Sequence, residues 1–216
     1  MPDIDVAQIF IAFFVLLFSL TVHESAHAWT ADRLGDPTAR LLGRVSLNPW
    51  VHADLFGTIV FPLFAMLAGP AIPLIGWAKP VPVTVRRLRH PRRDDVLVTL
   101  AGPASNLMLA LAAALALRLL PVSPVTLGEP NVSVPVAALL SRTLQLNVFL
   151  AVLNMIPIPP LDGGHLLTAL LPRTLGVRFD TLLRPYGFIL LLALVLTGGF
   201  DRLVVPPAGF ILSWLR

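Results

Sequence analysis

The sequence predicts an all-α fold, a polytopic bundle of transmembrane helices, and three observations carry that expectation. Hydrophobic residues make up 56% of the 216, and the mean hydropathy of +0.82 lies outside the range of soluble globular chains. The apolar residues gather in runs near the roughly 20 residues that a helix needs to cross the hydrocarbon. The basic residues gather in the short segments between those runs, as cytoplasmic loops do under the positive-inside rule. The 16 Lys and Arg against 12 Asp and Glu are therefore read as topology, with the lipid bilayer as the surroundings and no nucleic acid as a partner.

Five runs are candidates, at residues 7 to 32, 55 to 76, 96 to 120, 134 to 156 and 185 to 200, and a weaker apolar tail covers 203 to 215. Only Asp3 and Asp5, and no Lys or Arg, precede the first run. It is read as a retained span entered from outside, not as a signal peptide. Basic groups fall at Arg33, Arg40 and Arg44, then at Lys79, Arg86, Arg87, Arg89, Arg92 and Arg93, then at Arg173, Arg178 and Arg184. With all three groups in the cytoplasm, the first run goes inward, 96 to 120 outward and 134 to 156 inward again. The 55 to 76 run has basic residues on both sides and carries Gly57, Pro62, Gly69, Pro70, Pro73 and Gly76. Either it dips in and returns against a polar site, or it is a kinked full span.

The chemistry starts at His23-Glu24-Ser25-Ala26-His27, directly behind the apolar run Ile9 to Leu20. Positions four apart share a helix face, so both imidazoles aim at one spot with Glu24 beside it. Each ionisable group at membrane depth costs about 2.5 to 3.5 kcal/mol on insertion scales, which calls for a compensating role such as holding a metal. The chain has no cysteine, so His, Asp and Glu are the strong ligands on offer. His23 and His27 would bind Zn2+, and Glu24 would take a proton from a metal-bound water.

A catalytic zinc needs a third protein ligand and an open position, and Asp162 in Asn154-Met155-Ile156-Pro157-Ile158-Pro159-Pro160-Leu161-Asp162-Gly163 is the best candidate. Pro157, Pro159 and Pro160 break the preceding helix and free carbonyls that belong beside a polar site. Asp162 is also placed to cap the short helix suggested by Leu166 to Leu171. His165 competes as a ligand but reads better as a helix-end or supporting group. His52 and His90 sit in basic loops and read as solvated. Asn154 is either a donor to a developing oxyanion or glue between helices. For Asn106, in Ala101-Gly102-Pro103-Ala104-Ser105-Asn106, close helix packing is the favoured reading.

HESAHAW in the first span, AGPASN opening the third run and NMIPIPPLDG after the fourth together resemble the signature of the site-2 protease family of intramembrane zinc metalloproteases. LGDPTAR, SLNPWVHAD, FGT and GWAKPVPV look like its compact prokaryotic subgroup, so the similarity covers roughly residues 14 to 171. The resemblance implies a three-helix catalytic core with one zinc per chain held by His23, His27 and Asp162, Glu24 as general base and Asn154 near the scissile carbonyl. It further implies a membrane-embedded loop or strand element between the first two core helices, within Gly57 to Val83, that holds a transmembrane protein substrate in extended form. The expected organisation is one integral membrane protease domain over 1–216, with a catalytic core at about 7–171 and C-terminal apolar segments at 185–216. Neither a PDZ nor a CBS module is expected. The expected location is a prokaryotic inner membrane, with the site open to the cytoplasm. A metal transporter would spread its acidic and histidine residues along several spans, and a non-catalytic scaffold would have no use for the Glu24 carboxylate.

Overall fold

The computed structural model describes residues 6–68, 76–120 and 133–215. Within them the chain is helical, with no strand. Four stretches are long and apolar enough to cross a membrane: α1 (Val6–Arg33), α5 (Pro91–Leu119), α6 (Ser133–Asn154) and Arg173–Leu196, the last made of α8 (Arg173–Leu183), a 3-10 turn and α9 (Gly187–Leu196). Shorter helices complete the order: α2 (Thr38–Leu41), α3 (Pro49–His52), α4 (Phe61–Ala68) after a π-helical turn at Leu55–Val60, α7 (Asp162–Leu170), α10 (Gly199–Leu203) and α11 (Val205–Leu215).

Two spans start earlier than hydropathy alone places them. Pro91 occupies the first position of α5, where a missing N–H costs nothing, and the Asp94 carboxylate accepts the His90 N–H at 2.8 Å. Charged residues thus enter a helix whose apolar part begins five residues later. At the other end, the Arg184–Asp180 pair at 2.8 Å lets the charged α8 run into apolar α9.

The surface and interior are inverted relative to a soluble protein. Phe10, Phe14, Phe18, Met108, Leu111 and Leu115 are exposed, whereas Ser19, Thr21, His23, Ser25, His27, Asn106 and Asn147 are buried. Lipid accepts the first set, and the second set satisfies its polar groups between helices. Helix α5 packs against both α1 and α6. Ala110, Ala113 and Ala114 of α5 meet Leu144 and Val148 of α6 and Ala208 of α11, and their small side chains permit the close approach on which van der Waals association in a membrane relies.

In the 55 to 76 run, the described residues 55–68 form the π-helical turn and α4. Its helical part, Leu55–Ala68, is about 21 Å long at 1.5 Å per residue, short of a roughly 30 Å hydrocarbon core. Gly69, Pro70 and Pro73 lie outside the described residues, as does Glu129. By Trp77 the chain is back where it left: the Trp77 N–H donates to Gly57 O at 3.1 Å, and Thr58 Oγ1 donates to Trp77 O at 2.7 Å. A side chain at Gly57 would run into the Trp77 ring. Residues 77 to 84 follow as a segment that is neither helix nor strand, in which Pro80 and Pro82 favour extended backbone at Lys79 and Val81.

Candidate metal centre

One turn of α1 separates His23 from His27, and both are buried. Each ring is held from behind. His27 Nδ1 donates to Val98 O at 2.7 Å, and a carbonyl can only accept. His23 Nδ1 lies 2.5 Å from Asn106 Oδ1, whose amide nitrogen is already donating to Asn147 Oδ1 at 2.8 Å. Both protons therefore sit on Nδ1. The two Nε2 atoms, 3.1 Å apart, are thus the nitrogens turned toward a common point where a cation would lie.

Asp162 closes the triangle. Its Oδ2 is 3.1 Å from His23 Nε2 and its Oδ1 is 3.4 Å from His27 Nε2. Tetrahedral zinc with bonds of 2.0 to 2.1 Å sets neighbouring ligand atoms about 3.3 Å apart, so the spacing fits. Oδ2 is buried without a hydrogen-bond partner, which is the state of a carboxylate oxygen kept for a metal. Among the described residues, His23, His27 and Asp162 form the group of ligand-type side chains able to hold an ion, with their ligand atoms within 4.8 Å of one another.

Asp162 gets there because the prolines stop α6 and the following turn folds back onto α7. A side chain at Gly163 would collide with the carbonyls of Met155 and Ile156, and one at Gly164 with the backbone at Ile158 and Pro159. The far end of α7 is pinned by Arg92 of α5, which donates to the carbonyls of Ala169, Leu170 and Leu171 at 3.1, 2.9 and 2.8 Å. Asp162 does not cap α7. The cap position is Leu161, with no side-chain bond, since the carboxylate is turned to the histidines.

The remaining predicted residues divide. Glu24 is half-buried beside the triangle, and its Oε2 accepts the Val81 N–H at 3.1 Å. Asn154 ends α6 with its amide donating to Leu150 O at 3.0 Å, so it is not drawn into the triangle. His165 and His90 are exposed. His52 overturns its expectation: it is 1% exposed, because Asn48 caps α3 and the single turn points His52 inward, where Nε2 meets Ser46 O at 2.8 Å.

Two residues were read too blandly. Asn106 is fully buried in a chain of amides running from His23 through Asn147 to Ser19 Oγ, tying α1, α5 and α6 together. Gly102 is small for the sake of the imidazoles, which stand where its side chain would be. The signal was in the spacing, since Gly102 and Asn106 are four apart and share the face that meets α1. Replacing Asn106 by Ala is expected to weaken zinc binding about 10- to 100-fold, as loss of a ligand's supporting bond does. Competition with a chromophoric chelator measures it.

With this geometry established, the comparison with known proteins is decisive. The chain matches the family model of peptidase family M50 over residues 11–130 and 121–194. It belongs to peptidase family M50. As an M50 peptidase it is 40% identical over 183 residues to YwhC of Bacillus subtilis (strain 168), named as a candidate zinc metalloprotease, covering 84% of this chain and 78% of that protein. It is 30% identical over 187 residues to Rip2 of Mycolicibacterium smegmatis, similarly named, covering 86% of this chain and 66% of Rip2. Rip2 of Mycobacterium tuberculosis is 35% identical over 152 residues, 68% of this chain and 52% of that protein. The M50 peptidase thus spans about half to two-thirds of the mycobacterial relatives. No solved structure matches it. The resemblance to the site-2 protease family is borne out.

Proposed function

We propose that this M50 peptidase is an intramembrane zinc metalloprotease that hydrolyses peptide bonds within or near transmembrane segments of membrane proteins. The observation that carries the proposal is the triangle of His23, His27 and Asp162, whose metal-ligating atoms converge between helices α1 and α7. Zinc bound there lowers the pKa of water toward 7 and polarises a carbonyl.

The chain's own residues supply the rest. Glu24, beside the triangle, takes the proton of the attacking water and returns it to the leaving amine. The second carboxylate oxygen is free for this, because Oε2 is engaged by Val81. Asn154 at the end of α6 is the donor proposed for the developing oxyanion, after turning its amide from Leu150 O. A substrate helix must unwind locally to expose a peptide bond, and the run at 77 to 84 lies next to Glu24 where an unwound segment would pass. The basic segments support a location in a prokaryotic inner membrane, with the site reached from the cytoplasmic side.

The test is cleavage of a single-pass membrane protein by purified enzyme in proteoliposomes. Stripping zinc with a chelator is expected to stop cleavage and readding zinc to restore it. Cleavage that continues in protein verified to be zinc-free would end the proposal.

A further inference from the structure

We propose that His52 is a positioning residue for Glu24, acting through the run Trp77 to Thr84; this rests on the reading of Glu24 as the base. The run is pinned at alternate residues. Trp77 N–H goes to Gly57 O at 3.1 Å, Lys79 N–H to His52 O at 2.8 Å and Val81 N–H to the Glu24 carboxylate at 3.1 Å. The prolines at 80 and 82 favour extended backbone at Lys79 and Val81, and each of the three donors finds its acceptor on another part of the enzyme. Pro80 and Pro82 intervene and carry no N–H. These three bonds, with that of Thr84 N–H to the Asp36 carboxylate at 2.6 Å, align the run.

His52 sets that alignment. Its ring is buried, with Nε2 at 2.8 Å from Ser46 O and 3.3 Å from Ser25 Oγ, and Ser25 Oγ itself donates to Ser46 O at 2.5 Å. Ser25 is the neighbour of Glu24 on α1. His52 thus holds its loop against α1 one residue from the base, while its own carbonyl holds Lys79, two residues from the amide that contacts the base. A carboxylate is free to rotate about its last bond, and the Val81 N–H fixes one oxygen and with it the direction of the other. Removing the His52 ring releases the loop, then Lys79, then Val81.

A double-mutant cycle with an exchange measurement tests this. His52→Ala and Val81→Pro are each expected to lower kcat on the order of 10-fold or more, the worth of a hydrogen bond to a charged group, with KM and zinc content unchanged. The double variant is expected to be no slower than the slower single one, because both act through one bond. Hydrogen exchange followed by mass spectrometry reads the same bond without substrate. A fragment covering residues 79 to 83 has few amides, since two of its residues are proline, and His52→Ala is expected to expose Val81 there. His52→Gln, which can still donate from the Nε2 position, is expected to restore both protection and rate. Independent, multiplying losses in the cycle would overturn the proposal. So would loss of zinc in His52→Ala, or unchanged protection of Val81. The exchange arm needs no turnover, so failure of Glu24 as the base shows separately, as cleavage by Glu24→Gln.

Discussion

Glu24→Gln is expected to keep one zinc per chain and to lose about 10²- to 10⁴-fold in kcat, the range that a positioned general base contributes. The argument is that the substitution alters basicity and little else. Glutamine has the shape of glutamate, and its amide oxygen still accepts the Val81 N–H that Oε2 accepts now. Glu24 is not among the groups that converge on the metal position, so zinc affinity should be indifferent to its charge beyond a small field effect. What disappears is the lone pair able to take a proton from water and pass it to the leaving nitrogen. Metal analysis of the purified protein and single-turnover cleavage in proteoliposomes measure the two halves. Retained proteolysis in a clean preparation removes Glu24 from the mechanism, and loss of zinc moves it into the ligand set. In cells, a membrane protein that accumulates uncut in the Glu24→Gln background identifies the substrate.

The metal triangle was legible in the sequence because its logic is local and exclusive. His23 and His27 are fixed on one face by helical spacing, and a chain without cysteine leaves few acidic residues near a broken apolar helix, with Asp162 foremost among them. The supporting shell was harder to read. Asn106 in an apolar helix looks the same whether it glues helices or orients an imidazole, and the difference lies in which residues of α1 it meets. His52 sat among basic residues and was read as solvated. Its burial follows from a four-residue helix capped by Asn48 and docked onto Ser25, which the loop's composition does not reveal. Four of the five apolar runs are span-length helices and the 55 to 76 run is not; two of the four start earlier than hydropathy places them, since Pro91 and Asp94 at α5, and the Arg184–Asp180 pair at α8, extend helices into charged sequence. The element after α4 was expected as a loop or strand. Its described part, 76 to 84, forms no strand: Pro80 and Pro82 lack donors, and the amides of Trp77, Lys79, Val81 and Thr84 go to Gly57, His52, Glu24 and Asp36.

Gly102→Ala separates helix stability from site integrity, because the two respond with opposite sign. In the interior of a helix such as α5, alanine is favoured over glycine by about 0.8 to 1.0 kcal/mol, and a substitution judged on the helix alone would be stabilising. The added methyl, however, falls on His27 Nε2 and on Cε1 and Nε2 of His23, the atoms that face the metal position. Neither ring has room to withdraw while its Nδ1 remains bonded to Val98 O or Asn106 Oδ1. To admit the methyl, a ring must break that bond and rotate, or α1 and α5 must part, and either displaces an Nε2 from a triangle whose edges are 3.1 to 3.4 Å. A methyl radius is large against the roughly 0.2 Å tolerance of a zinc–nitrogen bond. The expected result is zinc below one per chain and no detectable cleavage. Gly209→Ala is the control, since nothing lies within 4 Å of its added carbon in α11, and it should leave zinc and activity alone. Full zinc occupancy and normal cleavage in Gly102→Ala would mean that the imidazoles do not stand where the triangle requires.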